Sequence, residues 1–219
     1  HHAFNMQGMA DNLAAFSASN VTYLPFIEEA DNSGRGLLEA LAANACLVVT
    51  DDFPAFMLPK MTRAAAQKVG VRMEKVGSNG IYPMRETSRA FSRAHDFRRH
   101  LQKSLHPHLK AFPNPAPLVD LDLPQVILGP ELKAWRMATR EDMVGGELLK
   151  RLPIDHSVSV VGDVGGYVAA RKRLATWVQD GLSRYGVDRN HPDTDASSRL
   201  SFWLHFGHLS AHEVFAAVI

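Results

Sequence analysis

The sequence is short of several things, and each shortage excludes a class of protein. It has a single cysteine, Cys46, so no internal disulfide framework can form, and a reducing compartment fits that usage. It has no apolar run of the ~18 residues a membrane-spanning helix needs. Its first residues carry no secretory signal pattern. It lacks the phosphate loop of P-loop enzymes, the glycine fingerprint of dinucleotide folds and the nucleophile elbow of serine hydrolases. A net charge of +1 excludes a wholly basic nucleic-acid wrapper.

What is present is a sequence able to build a core. Of 219 residues, 46% are hydrophobic and 21% charged. At about 150 residues per domain, that length allows one large domain or two small ones. The charge is uneven. From Arg85 to Lys110 there are seven cations (Arg85, Arg89, Arg93, Arg98, Arg99, Lys103, Lys110) against Glu86 and Asp96. Such a stretch is either a solvated helix face or a phosphate-facing surface.

Periodicity predicts the elements. Phe4, Met6, Met9, Leu13 and Phe16 recur at roughly helical spacing over 4–18. Val21 to Phe26 reads as a short strand. Gly36 to Asn44 reads as a helix, and Cys46 to Thr50 as a central parallel strand covered on both faces, with Cys46 as inert core. A helix opened by Pro54 runs to about Val69, a strand follows over 71–76, and 81–84 is a short extended piece. This order predicts an α/β layer with a parallel sheet and right-handed crossovers. Such a domain ordinarily opens with a strand. We therefore expect a fragment lacking at least one N-terminal βα segment, and the apolar end at Val214, Phe215, Val218 and Ile219 suggests truncation there too.

Arg93 to Leu109 reads as a helix with its basic residues outward. Pro107, Pro113, Pro115, Pro117 and Pro124 then punctuate an irregular stretch. The expected organisation is an α/β domain over 1–112, a long linker over 113–163 with short helices near 131–137 and 141–152, and a helical segment from 164 to 219. In that last part Gly165-Gly166 ends the linker. A single helix runs from Tyr167 to Tyr185, with Arg171, Lys172 and Arg173 outside, before a polar loop over 188–193.

Three groups of residues could carry chemistry. Thr194, Asp195, Ser197 and Ser198 are good helix-capping types, and Arg199 adds a fork of donors. This is an ordinary capped helix start or an anion site. His205, His208 and His212 share a face, as a metal site would require, only if one helix spans them, which Gly207 and Ser210 oppose. Asp51 and Asp52 end a strand, where α/β proteins place ligand loops, and equally where the next helix is capped.

The run Ser197-Ser198-Arg199-Leu200-Ser201, followed by Leu204-His205-Phe206-Gly207-His208-Leu209-Ser210, resembles the DNA photolyase/cryptochrome superfamily. The Leu-His-Phe-Gly form, Thr50-Asp51 and the segment Val76 to Pro83 look most like the class II cyclobutane pyrimidine dimer photolyases. Ser197 stands where threonine is usual, and Phe202-Trp203 where Pro-Tyr is common. The resemblance implies a Rossmann-like antenna domain, a long linker and the beginning of an all-helical FAD-binding domain. It implies that Ser197, Ser198, Arg199, Leu200 and Ser201, with Tyr185, contact the FAD diphosphate. It further implies a second antenna chromophore (deazaflavin or folate) in the α/β domain. The partner would be DNA containing pyrimidine dimers, bound by a cytoplasmic monomer that is nucleoid-associated during repair. The full parent would be a light-driven carbon-carbon lyase, with this fragment inactive alone. The alternatives on the same fold are a cryptochrome-like blue-light sensor and a non-catalytic interaction module.

Overall fold

In the computed structural model, which describes residues 1–219, the chain forms two compact units. One comprises His1–Arg35 and Ala116–Ile219, the other Gly36–Pro115.

The first unit is built around helix α1 (His2–Phe16), whose apolar residues reach two cores. Phe4 packs with Leu174, Trp177, Leu200, Trp203 and Leu209. Met6 and Ala10 pack with Ala138, Met143, Leu148 and Leu152. Each fully buried large side chain contributes about 1.5–3 kcal/mol relative to exposure. Helices α5 (Arg140–Val144) and α6 (Glu147–Arg151) supply the second cluster. A capping box starts α5: the Asp142 N–H donates to Thr139 Oγ1, and the Thr139 N–H donates to the Asp142 carboxylate. Arg136 donates to both oxygens of that carboxylate, at 2.8 and 2.7 Å, which with the capping bonds holds its pKa down to about 2.

Residues 138–154, expected as linker, are thus part of a core. Likewise α1, expected in the α/β domain, lies in the same unit as the C-terminal helices. The reason is the apolar stripe of α1, which α5 and α6 cover. The unit continues with α7 (Tyr167–Asp180), α8 (Leu182–Asp188), α9 (Ser201–His205) and α10 (Ala211–Val218). The single helix expected over 167–185 breaks at Gly181, which lies against the Trp177 indole, too close to it for a Cβ. The strand expected over 21–26 is absent. Only an antiparallel bridge between Phe26 and Met137 forms, with the Ala138 N–H donating to Pro25 O at 2.7 Å. Pro25 has no N–H to give a ladder.

The second unit contains α2 (Leu37–Ala42), β1 (Leu47–Asp51), α3 (Leu58–Lys68), β2 (Arg72–Val76) and α4 (Ala94–Ser104). The strands pair in parallel, from Leu47 opposite Arg72 to Asp51 opposite Val76. This is the expected βαβ crossover, in a sheet of two strands. Two expectations fail here for one reason. One face of β1 has no layer packed on it: Leu47, Val49 and Asp51 are exposed while Val48 and Thr50 are half-buried, so Val49 is 57% exposed, and Cys46 just before the strand is exposed rather than core. The helix expected from Pro54 starts later, at Leu58, because Phe56 takes φ 58° and breaks the approach. The piece expected extended over 81–84 turns instead into a 3-10 segment, Met84–Glu86.

Asp51 and Asp52 do not cap α3. The Ser78 hydroxyl donates to Asp51 at 2.5 Å. Asp52, 8% exposed, pairs with Lys75 at 2.8 Å and Arg85 at 2.5 Å, and these bonds hold its pKa below the usual carboxylate range. A carboxylate taken from water needs such partners, so Asp52 serves the strand-end architecture, while Asp51 stays exposed beside Ser78.

Candidate functional site

The run Ser197 to Ser201 lies between α8 and α9 and is held from below by α7. Trp177 is 7% exposed and donates from its indole nitrogen to Ala196 O at 3.1 Å. Arg173 donates to Ser198 O at 2.9 Å and to Ser197 O at 3.1 Å. Arg173 is therefore not the outward residue expected of the Arg171-Lys172-Arg173 triplet. It occupies two carbonyls that would otherwise oppose an anion. Leu200, 1% exposed, pins the run into the core between Trp177 and Trp203.

Above this platform the side chains face solvent. Ser197, Arg199 and Ser201 are exposed, and Ser198 is half-buried with its Oγ accepting from the Leu200 N–H at 3.4 Å. Arg199 takes φ 55° and pairs with exposed Asp195 at 2.8 Å. The capped helix start expected over 194–201 does not form. Helix α9 starts at Ser201 with Leu200 at its N-cap, and neither Ser197 nor Ser198 caps it. Positive φ at Arg199 turns the chain before the helix can extend backward. Tyr185 is half-buried, edge-on to Trp177 at 5.5 Å, with the Arg189 guanidinium 5.6 Å above its ring. Tyr185 and the serine run thus share one support, Trp177.

Three hydroxyls and an exposed guanidinium over a fixed backbone are the donor set that a diphosphate group takes. Leu200 can offer a ligand only its backbone. Ser201 also lines a cavity of about 440 Å3 together with Phe4, Val161, Phe202, His205 and Phe206. This gives the run an apolar neighbour on one side.

The three histidines are placed by separate elements. His205 ends α9, Gly207 reverses the chain at φ 70°, and His212 lies on α10. His208 packs at 4.9 Å on Phe4, and its Nδ1 accepts from the Gly166 N–H at 3.0 Å. Burial lowers its pKa, with Asp11 opposing in part. A ring that resists protonation when folded leaves the unfolded chain holding more protons below pH about 6.5, so stability falls as pH drops through that value. We expect urea unfolding midpoints to fall between pH 7 and pH 5. His208→Gln, which keeps an acceptor for Gly166 but cannot titrate, should show a smaller fall. Equal falls in both proteins would remove His208 from the account.

Reasoning from sequence missed Arg173, Trp177 and Asp11. Asp11 accepts from the Val168 N–H at 3.0 Å and so serves the first turn of α7. The fall of Trp177 on the apolar face of α7 was a usable signal. Nothing local marks Arg173 or Asp11.

No protein-family profile matches the chain, and no curated protein matches it. Among solved structures it is similar to a bacterial class III photolyase from Agrobacterium tumefaciens, with a TM-score of 0.65 and 18% identity. That similarity covers 99% of this chain and 44% of the photolyase chain. The chain therefore has the fold of a part of a photolyase and spans less than half of that chain's length. None of its helices is long and apolar enough to cross a membrane.

Proposed function

We propose that this chain is the flavin-phosphate-binding part of a photolyase-type DNA repair lyase acting on cyclobutane pyrimidine dimers. The observation that carries the reading is the coincidence of the photolyase fold with a solvent-facing Ser197-Ser198-Arg199-Leu200-Ser201 run fixed on Trp177 and Arg173. The Leu204-His205-Phe206-Gly207 motif supports a class II-like enzyme within that fold. The similar structure bears the class III name and supports the fold alone.

In this reading Ser197, Ser198 and Ser201 donate hydroxyls to the FAD diphosphate, and Arg199 exchanges Asp195 for a phosphate oxygen. Tyr185 closes the side of the site above Trp177. Arg173 keeps the Ser197 and Ser198 carbonyls turned toward α7. When bound, reduced flavin supplies the light-driven electron that splits the cyclobutane ring. An antenna chromophore, monomeric state and cytoplasmic location belong to the same proposal.

The test uses the protein that carries this chain. It should purify with a flavin absorption band and remove dimers from irradiated DNA only under visible light. Ser197→Ala with Ser198→Ala removes two hydrogen bonds to charged oxygens, each contributing about 1.5–3 kcal/mol. FAD affinity should fall by roughly 100-fold or more. A flavin-free protein, or unchanged affinity in the double variant, would sink this assignment. Flavin photoreduction without dimer loss would replace repair by light sensing.

A further inference from the structure

One surface of the second unit is not explained by packing or by the serine run. Helix α4 carries His95, Arg98, Arg99, Gln102 and Lys103 on its exposed side, at spacings that form one stripe, and His106 continues it past the helix end. The inner side is anchored. Tyr82 Oη lies 3.0 Å from His100 Nε2, the Ser104 hydroxyl donates to Tyr82 Oη at 3.1 Å, and Phe91 packs on His100 at 5.1 Å. The stripe is therefore held in place, and it carries three cations, Arg98, Arg99 and Lys103, and no carboxylate.

Its charges are also uncompensated. Arg89, Arg93, Arg98, Arg99, Lys103 and Lys110 form no ion pair with any carboxylate, whereas Arg136, Arg151, Arg171, Arg184 and Arg199 all do. Nearby Glu86 faces His108 at 3.9 Å, and half-buried Asp96 sits in the first turn of α4. Arg99 and Lys103 stand four apart, a like-charge spacing that costs a helix about 0.2–0.5 kcal/mol. A self-repelling face becomes favourable when an anion covers it.

We propose that the exposed stripe of α4 is a contact surface for the phosphate backbone of nucleic acid. Eleven residues of helix extend about 16 Å, the axial length of about five base pairs. Two of its three cations are arginines, whose planar fork suits phosphate oxygens. Gln102 and the imidazoles add neutral donors. The stripe itself has no apolar side chain to sink into a lipid interface, which disfavours a membrane surface.

The test requires no flavin, lesion or light, so its failure is distinguishable from failure of the repair reading. Binding of the chain to a short undamaged duplex is followed by fluorescence anisotropy over a series of salt concentrations. Arg98→Ala, Arg99→Ala and Lys103→Ala together should lower the slope of log K against log salt by about 2–3 and weaken binding at every salt concentration. Alanine favours the helix, and circular dichroism checks that α4 persists. Lys60→Ala with Arg63→Ala, exchanging cations of α3, should leave the slope unchanged. An unchanged slope in the triple variant, equal losses in both variants, or binding to phosphatidylserine vesicles without duplex binding would each overturn the proposal.

Discussion

Trp203→Ala lowers the stability of the first unit by about 4 kcal/mol in urea unfolding followed by circular dichroism. Trp203 is 4% exposed and lies between α1 and the serine run. Its indole N–H donates to Val164 O at 3.0 Å, and its ring packs at 5.8 Å on Phe4. Truncation leaves a cavity in the cluster that holds Leu200 and strips a carbonyl of its donor. Trp203→Phe separates the two losses. It retains most of the volume and loses the hydrogen bond, so it should cost about 1–2 kcal/mol. Because Leu200 and Ser201 rest on the same cluster, Trp203→Ala should also abolish whatever anion binding the run supports, whereas Trp203→Phe retains it. A cost below about 1 kcal/mol for the alanine variant would mean that α9 is not seated as described.

Gly166→Ala should cost about 3 kcal/mol, nearly all of it local to the start of α7. Gly166 adopts φ 95° and ψ 165°, a region that side chains rarely enter. A Cβ there would meet the Asp11 carboxylate, the acceptor for the Val168 N–H. The Gly166 N–H is itself committed to His208. One methyl group thus strains the backbone, displaces the carboxylate at the first turn of α7 and disturbs the hydrogen bond to His208. Gly162→Ala provides the control, since the space around its Cβ is open. It should leave stability within about 0.5 kcal/mol, and similar costs at both positions would refute the clash.

Local pattern was enough to find the elements themselves. α1 and both strands lie close to their expected positions, and α3 and α4 form inside the longer helices expected there. It was insufficient where the partner decides. The run of Cys46 to Thr50 reads as a strand buried on both faces. Its composition contains nothing about whether a layer will pack on each of its faces, and with one face bare Val49 stays exposed. The hydroxyls before α9 read as caps, yet positive φ at Arg199 delays the helix to Ser201. Half of the candidate site was legible as Ser197 to Ser201. The other half, Arg173 and Trp177 beneath it, lies some twenty residues upstream and is joined to it only through α7.

By itself the sequence determined the alternation of elements, the βαβ crossover, the clustering of cations on α4 and the hydroxyl-rich run at 197–201, because each is a property of consecutive residues. Only the tertiary structure decided that α1 joins the C-terminal helices, that Ala138, Met143, Leu148 and Leu152 enter a core and that Arg173 turns inward to the Ser197 and Ser198 carbonyls. Those outcomes depend on which apolar stripe finds which cover and which buried carbonyl finds which donor. Distant parts of the chain settle such pairings together.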